Sequence, residues 1–374
     1  MHITLQRSSI FRIGLLLVFL CLVCDPSTAQ RCDVLSATRL FAPGDEGCFW
    51  RIPAIICLDD GSLLATCDRR KYSENDLPAD IDVVAIRSTD NGATWSAPVT
   101  VAQGHGAGCG YGDAALVQCA NGDIVSTFAG GGGFWNSSQS NPIRTYVSRS
   151  GDGGITWSTP IDITPYIWGN SAVNPQCRSY RGSFNASGNG LCLRRGQHKG
   201  RIMFVAAMCR SDVWQADNYV VFSDDNGNSW QVSERAFEGG DEAKLIELDD
   251  ERLLMSVRQT GARGYAVSDD GGVTWHSQGH WDDIKTNACN GDMLSVKQAG
   301  VSLLLHSLPN SMERENVSLF VSRDGGVTWP EKHLVFSAPS AYSSMTLLKN
   351  GSIGLFVEKL VEGKTELWFL NLKF

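Results

Sequence analysis

The segment "CFWRIPAII" (48–56) sets one arginine, Arg51, inside an otherwise apolar run. A guanidinium in such a run snorkels to solvent, pairs with a buried carboxylate, or points into a pocket and holds an anion. Arg51 has company. Charged residues interrupt strand-like patterns at Arg70 and Asp76 in "CDRRKYSENDLPADIDV", at Asp113 in "GYGDAALV", and at Glu242 and Arg258 around "DEAKLIELDDERLLMSVR". Arg314 lies in "LPNSMEREN", and Tyr342 and Glu358 bracket "AYSSMTLLKNGSIGLFVE". Singly, each has a plain explanation: Arg258 and Glu358 as structural ion-pair members, Tyr342 as a packed strand residue, Asp76 as a turn residue beside Asp80 and Asp82. Strand alternation lets only one of Arg69 and Arg70 face a pocket. The seven histidines show no metal-binding spacing.

These residues need a scaffold, and the scaffold announces itself as a repeat. The pattern Ser-x-Asp-x-Gly-x-Thr/Ser-Trp occurs five times, with central aspartates Asp90, Asp152, Asp225, Asp270 and Asp324, at separations of 62, 73, 45 and 54 residues. Each copy follows a short alternating apolar run, such as "DVVAIRS" or "SLFVSR", which reads as a strand entering a tight turn. Aspartate accepts backbone N–H groups, glycine supplies positive φ, and tryptophan offers a flat packing face. The copies lack the bidentate glutamate of an EF-hand loop, so they predict turns and no metal or other cofactor. Five boxed units, plus the unboxed stretch after Ser340, predict an all-β fold. It is a six-bladed β-propeller of four-stranded antiparallel blades, about 57 residues each, with five Asp-box turns. The N-terminal strand is expected to close against the last blade.

The N-terminus adds an address. Arginines precede an apolar run from Ile13 to about Cys24, and the small residues "STA" follow, so 1–29 is read as a signal peptide and 30–374 as one domain. No other segment is apolar enough to span a bilayer, and the tail does not read as a lipid-anchor signal. The expected location is therefore secreted or within the secretory lumen. A net charge of -8 argues against nucleic acid and anionic membranes as partners. Ten of the twelve cysteines lie beyond the signal, and an even count in an exported chain predicts disulfides. Asn136, Asn185, Asn316 and Asn350 open N-x-S/T sequons, expected on surface loops.

With the boxes, the ordered set from Arg51 to Glu358 resembles the exo-α-sialidase (neuraminidase) family over essentially the whole mature chain. The "WRIP" signature, Arg70 at 19 and Asp76 at 25 residues past Arg51, Glu242 and Arg258 16 apart, and the terminal Tyr342 and Glu358 carry that resemblance. It implies that Arg51, Arg258 and Arg314 bind the sialic-acid carboxylate and that Glu358 orients Arg51. Tyr342 would be the nucleophile, Glu242 its base, and Asp76 the acid/base. Arg70 and Asp113 would stand near the 4-hydroxyl, or for Asp113 the N-acetyl nitrogen. Trp135 from "FAGGGGFWNSS" lines an N-acetyl pocket or merely packs a blade. A carboxylate nucleophile would approach a carbon already bearing a carboxylate. A neutral phenol avoids that repulsion, and sialidases depart from the two-carboxylate pattern of glycosidases. Two departures stand out: Trp50 replaces the usual smaller aromatic, and Asp113 is followed by alanine.

The resemblance thus implies a secreted retaining hydrolase acting on sialylated glycans, glycoproteins or glycolipids. Transfer to a sugar, formation of an anhydro product, and preference for the deaminated nonulosonic acid KDN use the same core residues. A sialic-acid-binding propeller without catalysis is the reading from another class; it would be expected to have lost Asp76, Glu242 or Tyr342.

Overall fold

A computed structural model describes residues 32–138, 140–298 and 300–374; the expected signal peptide lies outside the described residues. The alternating apolar runs form strands, and among the described residues α-helix is confined to one four-residue turn, Thr164–Ile167.

Strand pairing yields five sheets. The first joins Phe49–Cys57, Leu63–Arg70, Ile81–Ser88 and Val99–Ala102. The second joins Tyr111–Gln118, Ile124–Gly131, Ile143–Ser150 and Ile161–Asp162, with Gly188–Asn189 added in parallel to its first strand. The third contains Gly182–Asn185, Ile202–Cys209, Ala216–Ser223 and Gln231–Val232, with Leu191–Cys192 as a side strand. The fourth joins Ala243–Glu247, Leu253–Val257, Gly261–Ser268 and His276–Thr286. The last has seven strands, because the long strand Glu331–Leu347 pairs with Glu315–Ser322 through its first half and with Ile353–Val361 through its second.

Two details depart from uniform four-stranded units. Gly188–Asn189 crosses to the second sheet, and Leu191–Cys192 stays on the third, so both sheets gain a fifth strand. The N-terminal strand Asp33–Phe41 pairs antiparallel with Lys364–Lys373, joining the two ends of the described chain. Trp50 is fully buried against that junction. It stacks on Phe41 with ring centroids 4.1 Å apart and donates its indole N–H to the Asp45 carbonyl. A smaller aromatic would leave that space part-empty.

The five boxes share one hydrogen-bond pattern. In the fourth, Ser268 Oγ donates to Asp270 Oδ1 at 2.8 Å and accepts from Gly272 N at 3.0 Å. Thr274 donates its backbone N–H and its hydroxyl to the same aspartate. Each box also packs on another sheet. Gly92 shows why: at φ +86° it lies so close to the Phe369 ring that any Cβ would collide with it. Phe369 belongs to Lys364–Lys373, so the first box presses on the last sheet, just as Gly154 of the second box lies against Leu64. Apolar side chains fill the space between sheets, as in the cluster of Ala54, Leu64, Ala85, Leu116 and Phe128.

Two expectations fail here. All ten cysteines among the described residues are free, with Cys67, Cys119, Cys177, Cys209 and Cys289 buried. The five buried ones serve as small core hydrophobes, and none of the ten is in a disulfide. Asn185 is not on a surface loop. It is fully buried in the strand Gly182–Asn185, so that sequon is inaccessible in the folded chain. Asn136 and Asn350 are exposed.

Candidate active site

Four strand irregularities aim the charged residues. The pairing register slips between Arg51 and Ala54, between Gly112 and Ala115, between Glu315 and Val317, and between Ser340 and Ser343. Ile52, Asp113 and Asn316 hold φ of +62°, +58° and +58° inside three of these bulges. A β-branched residue such as Ile52 rarely adopts that conformation. β-Bulges re-aim side chains and cluster beside active sites. Here they sit at or next to Arg51, Asp113, Arg314 and Tyr342. Backbone bonding reinforces the arrangement, because Ser340 N donates to the Arg314 carbonyl at 2.9 Å.

Tyr342 is the centre of the first cluster. Its hydroxyl donates to Glu242 Oε2 at 2.7 Å and accepts from Arg258 Nη1 at 2.8 Å. Arg258 also pairs directly with Glu242. The guanidinium carbons of Arg51, Arg258 and Arg314 stand 5.7, 6.0 and 5.4 Å from the Tyr342 ring centroid. Burial and the Glu242 charge push the phenol pKa well above its usual value, against the pull of Arg258. At rest the group is therefore a neutral phenol beside the Glu242 carboxyl.

Arg51 is held from the far end of the chain. Its Nε donates to Glu358 Oε1 at 2.7 Å and its Nη2 to Oε2 at 3.3 Å. Glu358, fully buried, also accepts from Ile52 N and Tyr342 N. Burial alone would raise its pKa; Arg51 and these hydrogen bonds reverse that and hold it below the ordinary range. One carboxylate thus fixes the first arginine and the backbone of the tyrosine. Arg314, by contrast, makes no ion pair among the described residues and donates only to the Ala288 carbonyl at 3.4 Å.

A second cluster adjoins the first. Arg70 is 1 % exposed, and contacts Asp68 at 2.9 Å and Asp76 at 2.8 Å. Asp76 is itself open to solvent. Arg69 points the other way, to Asp82 and Glu46, and Asp80 pairs with Lys71. Asp113 is half-buried and donates its backbone N–H to Asp68 Oδ1. Burial, then the neighbouring Asp68 and Asp76, raises its carboxyl pKa well above the usual range. Asp68, absent from the residues singled out in the sequence, joins Arg70 to the Asp113 bulge. Its spacing of two from Arg70 on one strand was the available signal.

Trp135 stacks on the exposed Trp214 at 5.2 Å, with Arg181 over the Trp214 ring. A cavity of about 530 Å³ opens beside Arg258, lined also by Asp241, Gln259 and His280. The larger cavity, about 740 Å³ around Tyr180 and Asp217, contains none of the residues named above. No cluster of metal-ligating side chains occurs among the described residues.

Residues 61–355 match the BNR repeat-like domain family. The chain is 31% identical to a sialidase of Micromonospora viridifaciens, over 83% of this chain and 50% of that protein. It is 31% identical to a sialidase of Paraclostridium sordellii, over 73% of this chain and 70% of that one. The solved Hadza microbial sialidase Hz136 superposes with a TM-score of 0.79 at 26% identity, covering 90% of this chain and 68% of that one. The chain spans half the length of its Micromonospora relative. With its BNR repeats and its ordered site residues, the chain belongs to the sialidase family.

Proposed function

We propose that this chain is a secreted exo-α-sialidase that hydrolyses terminal α-linked sialic acid with retention, on a six-bladed propeller. For the fold, the seven-stranded sheet divides at Glu331–Leu347 into two units, which with the other four make six. For the chemistry, the observation that carries the reading is Tyr342, its hydroxyl 2.7 Å from Glu242 and its ring flanked by three guanidinium groups.

Arg51, Arg258 and Arg314 take the substrate carboxylate, and Arg314 has no carboxylate of its own among the described residues. Arg70 and Asp113 face the 4-hydroxyl side. In the first step Tyr342 Oη bonds to the anomeric carbon and its proton passes to Glu242. The glycosidic C–O bond breaks, and Asp76 protonates the leaving oxygen. In the second step water attacks the same carbon and Asp76 takes its proton. Glu242 returns its proton to the departing tyrosine oxygen. Two displacements give net retention. The solvent-open position of Asp76 suits a group that meets both a leaving sugar and an incoming water.

The test is turnover of a fluorogenic α-sialoside by wild type and by Tyr342→Phe, whose rate is expected to fall on the order of 10³-fold. Full activity in the variant, or none in wild type, defeats the mechanism. Proton NMR of the product, with and without lactose, separates hydrolysis from transfer.

A further inference from the structure

Arg314 has no carboxylate partner among the described residues. What holds it is the turn at 287–290, between the strands His276–Thr286 and Asp292–Gln298. Each residue of that turn has its own anchor. Asn287 donates its backbone N–H to the carbonyl of Ser311 at 3.1 Å, just ahead of Arg314 in the chain. The Ala288 carbonyl accepts from Arg314 Nη2 at 3.4 Å. The Cys289 side chain is fully buried and packs with Ile52, Ala341 and Tyr342. Asn290 donates its side-chain amide to Ser187 Oγ at 3.0 Å. Gly291 then lies so close to the Ser307 carbonyl that any Cβ would collide with it.

One buried cation fixes the middle of this turn. Arg263, on the strand Gly261–Ser268, is fully buried and forms no ion pair among the described residues. Its Nη1 donates to the Cys289 carbonyl at 2.8 Å, and its Nε donates to Ser256 Oγ at 2.7 Å. Ser256 Oγ also meets His306 Nε2 at 2.7 Å, so three strands share the network. The pairing register slips between Ala262 and Arg263. Ala262 and Ala288 line the cavity beside Arg258, while Arg263 and the Cys289 carbonyl meet behind them. Burial lowers the guanidinium pKa to about 10, which leaves it a cation at neutral pH. A buried guanidinium without a carboxylate is costly to desolvate, and an apolar side chain of similar length would fill the space without that cost. What the apolar side chain lacks is the fork, two donors aimed at two partners at once.

We infer that Arg263 is a positioning residue for the third arginine: by clamping the Cys289 carbonyl to Ser256, it sets the turn whose Ala288 carbonyl holds the Arg314 guanidinium beside the Tyr342 ring. The inference rests on the reading of Arg314 as a ligand of the substrate carboxylate. Arg51 and Arg258 are aimed by carboxylates that touch them directly. A carbonyl aims Arg314 without neutralising it, so its charge stays available to an anionic ligand. Arg263 is sealed from the cleft and acts only through the backbone it holds.

The test is a double-mutant cycle read by calorimetry, with the didehydro analogue of N-acetylneuraminic acid, which carries the carboxylate, as the probe. Arg263→Met is expected to raise its Kd roughly tenfold. The double variant with Arg314→Ala should bind no more weakly than Arg314→Ala alone, because the first change acts through the second residue. Losses that add overturn the inference, and so does an unchanged Kd in Arg263→Met. Arg263→Lys keeps the charge but cannot fork to both partners, so it should recover only part of the affinity. Full recovery would show that charge suffices, and the clamp is then wrong. A second readout needs neither ligand nor turnover: amide hydrogen exchange in the 287–290 turn should quicken about tenfold in Arg263→Met, while the Asp324 box turn keeps its wild-type rate. A wild type that neither binds nor turns over a sialoside strikes the proposed function. The exchange rates then decide whether Arg263 sets the turn, and unchanged rates overturn it. If Arg263→Met and Arg263→Lys both fail to fold, the arginine is a folding residue only and the inference falls.

Discussion

Asp90, in an exposed box turn, has its carboxyl pKa lowered to about 2 by hydrogen bonds from Thr94 and Ser88. Asp68, beneath the cleft, has its own raised to about 6, because burial outweighs the Arg70 guanidinium beside it. The same side chain serves two economies of hydrogen bonding. In the box every partner lies within four residues, and water covers the rest. In the site remote partners join local ones: Asp68 holds Arg70 two residues on but also the Asp113 amide 45 residues on, and Arg51 and Glu358 are 307 residues apart in the chain. Local partners make a turn that repeats wherever its motif repeats. Remote partners make a site that exists only once the sheets have assembled around it.

That contrast is open to direct attack. The largest effect is expected at the remote pair. Glu358→Ala leaves Arg51 without its carboxylate in a buried setting and frees the Ile52 and Tyr342 amides, which should cost about 3–5 kcal/mol in urea unfolding and lower kcat/KM. A loss no larger than that of a box variant would break the distinction. Asp270→Ala removes hydrogen bonds confined to one turn, so a loss of about 1 kcal/mol is expected, with KM for the sialoside unchanged.

The smallest effects are pH slopes, and they should have opposite signs. Asp90 has a folded pKa below its usual value near 3.9. Its contribution is present above about pH 4 and is lost as pH falls through about 2. Asp68 has a folded pKa above its usual value, so its contribution is present below about pH 4 and is lost as pH rises through about 6. In melting curves from pH 2 to 7, Asp90→Asn should flatten the acid side and Asp68→Asn the neutral side. Slopes altered on the same side would show that the two carboxylates do not differ as described.

Much of this was legible before the structure. The five boxes could be read from residue type alone, because a serine, an aspartate, a glycine and a threonine or serine within seven positions leave the chain few other conformations that satisfy their polar groups. Arg51, Glu242, Arg258, Tyr342 and Glu358 were visible as an ordered set, and Tyr342 and its neighbours do converge. Asp68 was not seen. It looks ordinary in sequence, an acid before two arginines, and only burial makes it exceptional. Asn185 and the cysteines misled for the same reason, since a sequon and an even cysteine count say nothing about depth.

Sequence by itself determined what depends on near neighbours: the strand runs, the box turns, the glycines that a positive φ requires, and the stock of charged residues. The tertiary structure alone decided which charges meet. The bulges at Ile52 and Asp113 are set by pairing across strands, and their outcome depends on the sheets packed against them. Whether a carboxyl such as Asp68 is held up or one such as Glu358 is held down follows from the balance of desolvation against its partners, Arg70 two residues away for the first and Arg51 at 307 residues for the second. That balance has no local signature, because burial is a property of the assembled sheets.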